Sequence, residues 1–144
     1  SAQTFGNTSH FHMFGKLSAV DVGFGGFHVM LNSCVSATDV ITCGLALTFS
    51  NSLKRIQLRT YANGNFTTDW MSVPFTFSLT QDHHYSIYRS GNVLQVQVDG
   101  EMYLNITDLS TRAVSAHTTV PTGTWCGVWL GGTNRMSDAR INFW

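Results

Sequence analysis

The chain has 144 residues, with eight basic and eight acidic side chains, and only 11% of its residues are charged. A single domain of this length buries roughly 70% of its unfolded surface, so one hydrophobic core is expected. A net charge of zero offers phosphates no basic surface, which disfavours nucleic acid as a partner. No apolar run reaches the roughly 18 residues of a membrane helix, so no membrane insertion is predicted. We interpret residues 1–144 as a single domain.

Apolar and polar residues alternate along most of the chain, which is the period of a half-buried β-strand. The clearest runs, in chain order, are residues 45–49, 75–79, 85–89, 93–98, 102–104, 128–130 and 139–143. Asp99-Gly100 suits a two-residue hairpin turn, because both positions of that turn need positive φ. Ser90-Gly91-Asn92 predicts a second hairpin, and Gly131-Gly132 predicts a break. The chain is therefore predicted to consist almost entirely of strands.

No segment shows a convincing helical stripe. The nearest candidate, residues 105–116, carries Ile106, Leu109 and Val114 among many serines and threonines, and we predict a loop with at most one helical turn. Short, closely spaced strands favour an all-β sandwich or barrel, and of these we predict a two-sheet antiparallel β-sandwich. Exposed strand edges in such a fold make homo-oligomers by strand addition an ordinary expectation.

The three cysteines, Cys34, Cys43 and Cys126, leave several pairings open. A bridge between Cys34 and Cys43 would close a hairpin, while Cys126 could equally reach either from a C-terminal strand. Three buried thiols, packed as small hydrophobic groups, are the other alternative. No Cys-x-x-Cys pair occurs, so the common zinc and thiol-redox motifs are not present in the sequence.

From residue 85 onward the chain resembles the concanavalin A-like superfamily, which includes laminin-G-like domains and galectins. Residues 85–92 (YSIYRSGN), followed by residues 93–100, are similar to the central hairpin of that superfamily. Residues 127–132 (GVWLGG) and 140–143 are similar to its closing strands. The resemblance implies a jelly-roll sandwich with a binding function.

Residues 63–69 resemble the binding hairpin of galectins, in which an Asn-Gly turn leads to Trp-x-x-Glu. Asn63-Gly64 corresponds to the turn, Phe66 falls at the tryptophan position and Asp69 at the glutamate position. Galectins also carry a His-x-Asn-x-Arg triplet on the preceding strand, where it reads the axial hydroxyl of galactose. Residues 45–49 and 56–60 lack that triplet. The resemblance therefore implies a sugar site without implying specificity for β-galactosides.

Sugar binding needs an aromatic face for the apolar side of the ring and planar polar groups for its hydroxyls. Residues 59–70 supply both within one hairpin. The predicted ligand-binding residues are Arg59, Tyr61, Asn63, Phe66, Asp69 and Trp70. We expect Phe66 or Trp70 to be the stacking platform, while the charged and amide side chains bind hydroxyls. The alternative is an ordinary turn whose aromatic side chains face the core.

The histidines form no clear metal-binding pattern. His10 and His12 lie two residues apart and would share one face of a strand. His83 and His84 follow Asp82, but neighbouring strand residues face opposite sides and could not easily share one ion. Without a matched second pair we predict ordinary surface or edge histidines, no metal and no cofactor.

Asn7, Asn65 and Asn105 each begin an Asn-x-Ser/Thr triplet, the acceptor pattern for N-glycosylation. The triplets are suggestive of secretion, but a chain rich in asparagine and threonine also produces them by chance. A glycan on Asn65 would crowd the predicted sugar site, so the two interpretations compete.

Catalysis finds no recognised motif in the chain. Glycosidases of the concanavalin A-like type place a Glu-x-Asp-x-Glu arrangement on one strand, and no such arrangement occurs here. The closest acidic pair, Asp99 and Glu101, spans a tight turn. A Gly-x-Ser-x-Gly nucleophile elbow and a phosphate-binding loop do not occur either. We predict that the protein is not an enzyme.

These observations predict a lectin-like, carbohydrate-binding module that acts in glycan recognition or cell attachment. Its expected partner is a glycan or glycoprotein, and its expected location is outside the cell or on a virion surface. The alternative is a protein-interaction, adhesion or structural sandwich of laminin-G-like type. Such a domain would use a strand edge or an apolar face, or seat Trp144 in a neighbouring subunit.

Overall fold

The computed structural model describes residues 2–7, 9–19, 26–36, 41–123, 125–130 and 134–143, and they form eleven strands and one helix. In chain order the elements are β1 (Ala2–Asn7), β2 (His10–Ala19), β3 (Gly26–Val35), β4 (Ile41–Ser50), β5 (Arg55–Ala62), β6 (Asn65–Pro74), β7 (His83–Ser90), β8 (Val93–Val98), β9 (Glu101–Ile106), α1 (Leu109–Ser115), β10 (Trp125–Leu130) and β11 (Asn134–Phe143). The predicted all-β class is therefore confirmed. Gly131-Gly132 and Trp144, which the sequence singled out, lie outside the described residues.

The strands form two antiparallel sheets. The six-stranded sheet has the order β1-β10-β3-β4-β5-β6, and the five-stranded sheet has the order β11-β2-β7-β8-β9. Alternate side chains of both sheets meet in one core, as the period of two requires. Leu47 and Phe49 of β4 and Ile87 of β7 are completely buried in it. The predicted two-sheet sandwich is therefore confirmed.

The predicted hairpin turns are also confirmed. Asn63 (φ 48°) and Gly64 (φ 89°) join β5 to β6, and Asp99 (φ 51°) and Gly100 (φ 81°) join β8 to β9. Both pairs have the positive φ angles that a two-residue hairpin of matching twist requires. The hairpin between β7 and β8 turns at Gly91, as expected. The Asn63-Gly64 turn sets the register of β5 and β6, which carry part of the site described below.

The predicted strand at residues 75–79 is wrong. Strand β6 ends at Pro74, and residues 75–82 form an irregular connection to the other sheet. Proline has no N–H to continue a ladder, which suits the end of an edge strand. The apolar side chains still point inward, because Phe75 and Leu79 are buried and Phe77 stacks on Phe75 at 4.3 Å between ring centroids. Alternation here reflects a loop that covers the core.

The expectation of at most one helical turn in residues 105–116 is also wrong, because α1 spans seven residues. Asp108 caps the helix by accepting a hydrogen bond from the backbone N–H of Ser110 at 2.9 Å. Leu109 and Ala113, four residues apart, form the buried stripe, whereas Val114 is exposed. Only two apolar residues anchor the helix, and this is too weak a periodic signal to stand out among serines and threonines. No helix among the described residues is long and apolar enough to cross a membrane.

The cysteine alternatives resolve into one disulfide and one free thiol. Cys34 and Cys43 pair across β3 and β4 and are bonded to each other. Cys126 lies buried on β10 as a free thiol. Burial raises the pKa of the Cys126 thiol to about 11, so this group is neutral and packs as a small apolar side chain.

Candidate functional site

The outer face of the six-stranded sheet, which points away from the core, carries a cluster of polar and aromatic side chains. Antiparallel pairing aligns these residues in rows that run across β3, β4, β5 and β6. One row is His28, Thr48, Gln57 and Ser72; the next is Met30, Ala46, Arg59 and Asp69; a third is Gly44, Tyr61 and Phe66. Distant parts of the chain therefore meet on one surface, which we call the outer-face site.

Two β-bulges in β6 decide which of its residues reach this surface. The register slips between Thr60 and Tyr61 and again between Leu58 and Arg59, so β6 has an extra residue at each point. Residues on one side of a regular strand are two apart, but each bulge here makes that spacing three. Phe66 and Asp69 consequently share the outer face.

The centre of the site is the Phe66 ring, which is held between three neighbours. The Arg59 guanidinium carbon lies 3.7 Å from the ring centroid, a close cation–π contact. The His28 ring stacks at 5.4 Å with an interplanar angle of 22°, and Tyr61 meets Phe66 edge-on at 5.5 Å. Arg59 therefore covers one face of the Phe66 ring, a ring that the sequence predicts as a stacking platform for a sugar.

The Thr48 hydroxyl connects two members of the cluster. Arg59 donates to it from Nη2 at 3.2 Å, and His28 Nδ1 lies 2.9 Å away. Burial, and then the positive charge of Arg59, lower the pKa of His28 to about 4. The imidazole is therefore neutral at physiological pH, and Arg59 and Asp69 supply the charges at the centre of the site.

Gln57 and Asp69 form the polar side of the cluster. Gln57 is only 5% exposed although it points away from the core, and its Nε2 lies 3.5 Å from Asp69 Oδ2. Gln57 Oε1 and Arg59 Nε are both buried, and neither has a hydrogen-bond partner among the residues that the structure describes. Burial lowers the pKa of Arg59 and the neighbouring Asp69 opposes that change, so the guanidinium stays charged. Unused hydrogen-bonding groups thus lie beneath an exposed carboxylate.

The structure brings four of the six predicted ligand residues together, namely Arg59, Tyr61, Phe66 and Asp69. Asn63 lies apart in the exposed hairpin turn, where its backbone N–H donates to Thr42 O at 2.9 Å. Trp70 faces the opposite way and packs in the core, 7% exposed, because it is the extra residue of the second bulge. The Trp70 ring therefore does not line the outer-face site.

Sequence reasoning missed His28, Thr48 and Gln57. They belong to strands that are distant along the chain, so no local pattern groups them with Phe66. The available signal was weak: each is a polar residue at an outward position of an alternating strand, where most residues are simply solvated. Their burial depends on the neighbouring rows, which only the sheet order reveals.

The other histidines are placed outside the outer-face site. His10 and His12 share the outer face of the five-stranded sheet, where they contact Ser90 and Ser86 hydroxyls at 3.2 and 2.8 Å. His83 is buried and His84 is exposed, so the two do point to opposite sides. Within the described ranges, no group of three or more His, Cys, Asp or Glu side chains is placed to hold a metal ion.

No family model matches the chain, and no curated protein matches it in sequence. Solved structures do match its fold. The carbohydrate-binding module CBM66 from Bacillus subtilis has a TM-score of 0.68 and 13% identity, over 99% of this chain and 77% of that chain. The Caenorhabditis elegans galectin LEC-6 has a TM-score of 0.64 and 11% identity, over 99% of this chain and 89% of its own. A variant of human galectin-16 has a TM-score of 0.65 and 11% identity, over 100% and 95%.

The chain therefore has the concanavalin A-like, galectin-like β-sandwich fold, as the resemblance of its hairpins predicted. Its structural neighbours are a carbohydrate-binding module and galectins, so the fold is lectin-like. Identities of 11–13% show the fold alone. What the outer-face site binds must be argued from its own side chains.

Proposed function

We propose that this protein is a lectin-type module that binds a glycan at the outer-face site and performs no covalent chemistry. The observation that carries the proposal is the exposed carboxylate of Asp69 beside Arg59 and Phe66. Among the described residues, that carboxylate makes only one hydrogen bond, the long contact from Gln57. A free acceptor next to a cation and an aromatic ring suits a ligand with hydroxyls on one side and C–H groups on the other.

Binding would change the position of Arg59. Its guanidinium covers the Phe66 ring, and its Nε has no hydrogen-bond partner among the described residues. Turning the guanidinium towards a sugar hydroxyl would expose the ring face to the C–H side of the sugar. A partly exposed cation–π contact is worth about 0.5–1 kcal/mol, whereas a hydrogen bond to a charged group is worth about 1.5–3 kcal/mol. Turning Arg59 also breaks its hydrogen bond to Thr48, so the exchange is favourable only when the ligand supplies both a hydroxyl for the guanidinium and C–H groups for the exposed ring.

The outer face of β4 supports a specificity different from that of galectins. Its outward residues in the site are Gly44, Ala46 and Thr48, which offer one hydroxyl and no charge. The His-x-Asn-x-Arg triplet that galectins use for galactose has no counterpart there. The cation here comes from Arg59 on β5, so the hydroxyl pattern that fits the site differs from that of a β-galactoside.

The disulfide and the strand edges support action outside the cell. The Cys34–Cys43 bond is typical of proteins from oxidising compartments, which fits a secreted or virion-surface lectin. Strands β1 and β6 end one sheet, and β11 and β9 end the other. Pairing through such edges would give a homo-oligomer with several sites, and multivalency would strengthen weak binding to glycoproteins.

A glycan array with the folded protein tests the proposal, followed by calorimetry with the best glycan. Asp69→Asn and Arg59→Met each remove one charge-assisted contact, so each should weaken binding about tenfold or more. Asp82→Asn is the matched control, since Asp82 is exposed in a loop outside the site. If the folded protein binds no glycan, or if both site variants bind as well as the parent, the proposal is wrong.

A further inference from the structure

A cavity separate from the outer-face site lies near the turn of the β5–β6 hairpin, between that hairpin and residues 117–122. Its volume is about 650 Å³, within the range of small-molecule sites. Five threonines line it: Thr60 and Thr67 from the hairpin, and Thr118, Thr119 and Thr122 from the segment after α1. We call it the threonine cleft. Tyr61 lies between this cleft and the outer-face site, since it lines the cleft and also contacts Phe66.

The end of α1 and the first β6 bulge build the two walls of the cleft. The helix ends at Ala116, and His117 then adopts a φ of 55°, with its N–H bonded to Val114 O. This turn directs residues 118–122 along the hairpin. On the other wall the extra residue of the first bulge is Thr67, whose hydroxyl lies 2.7 Å from the Thr60 hydroxyl. Both walls are therefore fixed by backbone hydrogen bonds and strand pairing.

The lining is polar, and the described residues that form it include no aspartate, glutamate, lysine or arginine; His117 is their one basic side chain, and Cys43 is held in the disulfide. A charged ligand loses hydration in the cleft and, above the pH range in which histidines are protonated, gains no opposite charge there. Each threonine presents a hydroxyl and a methyl group, and Val120 and Pro121 add apolar surface. The chemistry matches a neutral ligand that carries hydroxyls and C–H groups together.

Thr118 gives an independent indication of a ligand. Its hydroxyl oxygen is buried and has no hydrogen-bond partner in the described part of the chain, although the residue lines the cleft. Rotation about χ1 exchanges the hydroxyl and methyl positions of a threonine between staggered rotamers. Turning the hydroxyl into the cleft would break no hydrogen bond, and a ligand hydroxyl would then satisfy it.

We propose that the threonine cleft binds an uncharged, hydroxyl-bearing ligand of mono- or disaccharide size, independently of the outer-face site. Three probes with the same ring separate charge from shape: glucose, glucuronate and glucosamine. Binding is followed by NMR of protein labelled at the threonine methyl groups, which reports on the cleft directly. Signals of the Phe66 and His28 rings report on the outer-face site in the same samples.

Glucose should shift the methyl signals of the five cleft threonines and leave Thr76, an exposed threonine outside the cleft, unchanged. Glucuronate and glucosamine should bind at least about fivefold more weakly, because neither finds an opposite charge. Equal or tighter binding of a charged probe would overturn the proposal, as would unshifted cleft methyls with all three. Shifts confined to the Phe66 and His28 rings would overturn the proposal for the cleft and leave the proposal for the outer-face site standing. Shifts confined to the cleft threonines would support binding in the cleft independently of the outer-face site.

Two variants complete the test. Thr122→Trp fills the cleft from an exposed position and should abolish the glucose response, whereas Thr76→Trp should not. Thr118→Val removes a hydroxyl that has no partner, so it should weaken glucose binding about fivefold without lowering the melting temperature. Retained binding in both cleft variants would contradict the assignment.

Discussion

His83 and Asp99 are joined by a hydrogen bond of 2.6 Å between Nδ1 and Oδ2, and the other ring nitrogen of His83 lies 2.7 Å from the Ser78 carbonyl oxygen. Both nitrogens of the His83 ring therefore face oxygen acceptors. Asp99 also accepts from the backbone N–H of His84 at 2.9 Å. The pair fastens the loop of residues 75–82 to the β8–β9 turn.

We expect Asp99→Asn to lower the free energy of unfolding by about 1 kcal/mol at pH 7, because the Asp99 carboxylate is half-exposed and its hydrogen bonds with His83 and His84 are partly screened by solvent. Asparagine accepts the same positive φ, so the turn is preserved. Burial opposes ionisation of Asp99, but hydrogen bonds from His83 and His84 outweigh it and lower the pKa. The stabilisation is thus present above the unfolded-state pKa and is lost as pH falls through the folded-state value.

Urea denaturation across the acid range checks this prediction. The parent and Asp99→Asn should differ at neutral pH and converge once the carboxyl is protonated in both states. Asp82→Asn, at an exposed loop position, should follow the parent throughout. A constant difference between Asp99→Asn and the parent at all pH values would contradict the assignment.

His28 should make the protein less stable in mild acid. Its pKa is about 4 in the folded state against about 6.5 in the unfolded chain, so the unfolded state binds the proton first. Stability from this residue is complete above pH 6.5 and falls by up to about 3 kcal/mol as the pH drops to 4. His28→Gln should remove most of that slope in urea denaturation, whereas the exposed His84→Gln should keep it.

Trp70 and Phe66 should have opposite roles in stability and binding. Trp70 is buried in the core, so Trp70→Ala should cost about 3–5 kcal/mol of unfolding free energy. Phe66 is half-buried on the outer face, so Phe66→Ala should cost only about 1 kcal/mol while weakening glycan binding. Chemical denaturation and calorimetry measure the two effects. An equal loss of stability in both variants would mean that Phe66 is mainly structural.

The Cys34–Cys43 disulfide should contribute about 2–3 kcal/mol to stability, because it closes a short loop in the unfolded chain. Reductant should lower the unfolding free energy of the parent to that of the double variant Cys34→Ser/Cys43→Ser. The double variant should not respond to reductant, since its remaining thiol, Cys126, forms no bridge. If reductant also lowers the unfolding free energy of the double variant, the effect of reductant does not come from the Cys34–Cys43 bond.

Much of the fold could be predicted from local pattern, because alternation and turn chemistry are short-range signals. Leu45, Leu47 and Phe49 alternate into the core as expected, and Asp99-Gly100 forms the expected turn. The prediction failed where tertiary contacts override the local pattern. Residues 75–79 alternate without pairing, and α1 is stabilised by a single cap and two buried residues.

The site was predicted less completely than the fold. The spacing from Phe66 to Asp69 grouped two residues that the structure places on one face, although a regular strand would separate them. Placing Trp70 required knowledge of the bulge, which depends on pairing with β5. Finding His28 and Thr48 required the sheet order, which no stretch of the sequence contains.

The bulges also bear on how this strand tolerates changes in length. Deleting one residue from a regular strand inverts every side chain beyond it, exchanging core for solvent. Thr67, however, is the extra residue of a bulge, so its loss would restore regular pairing and still leave Phe66 and Asp69 on the same face. An edge strand with spare residues of this kind can be shortened during evolution or engineering without losing the outer-face site, although the threonine cleft would lose the Thr67 hydroxyl.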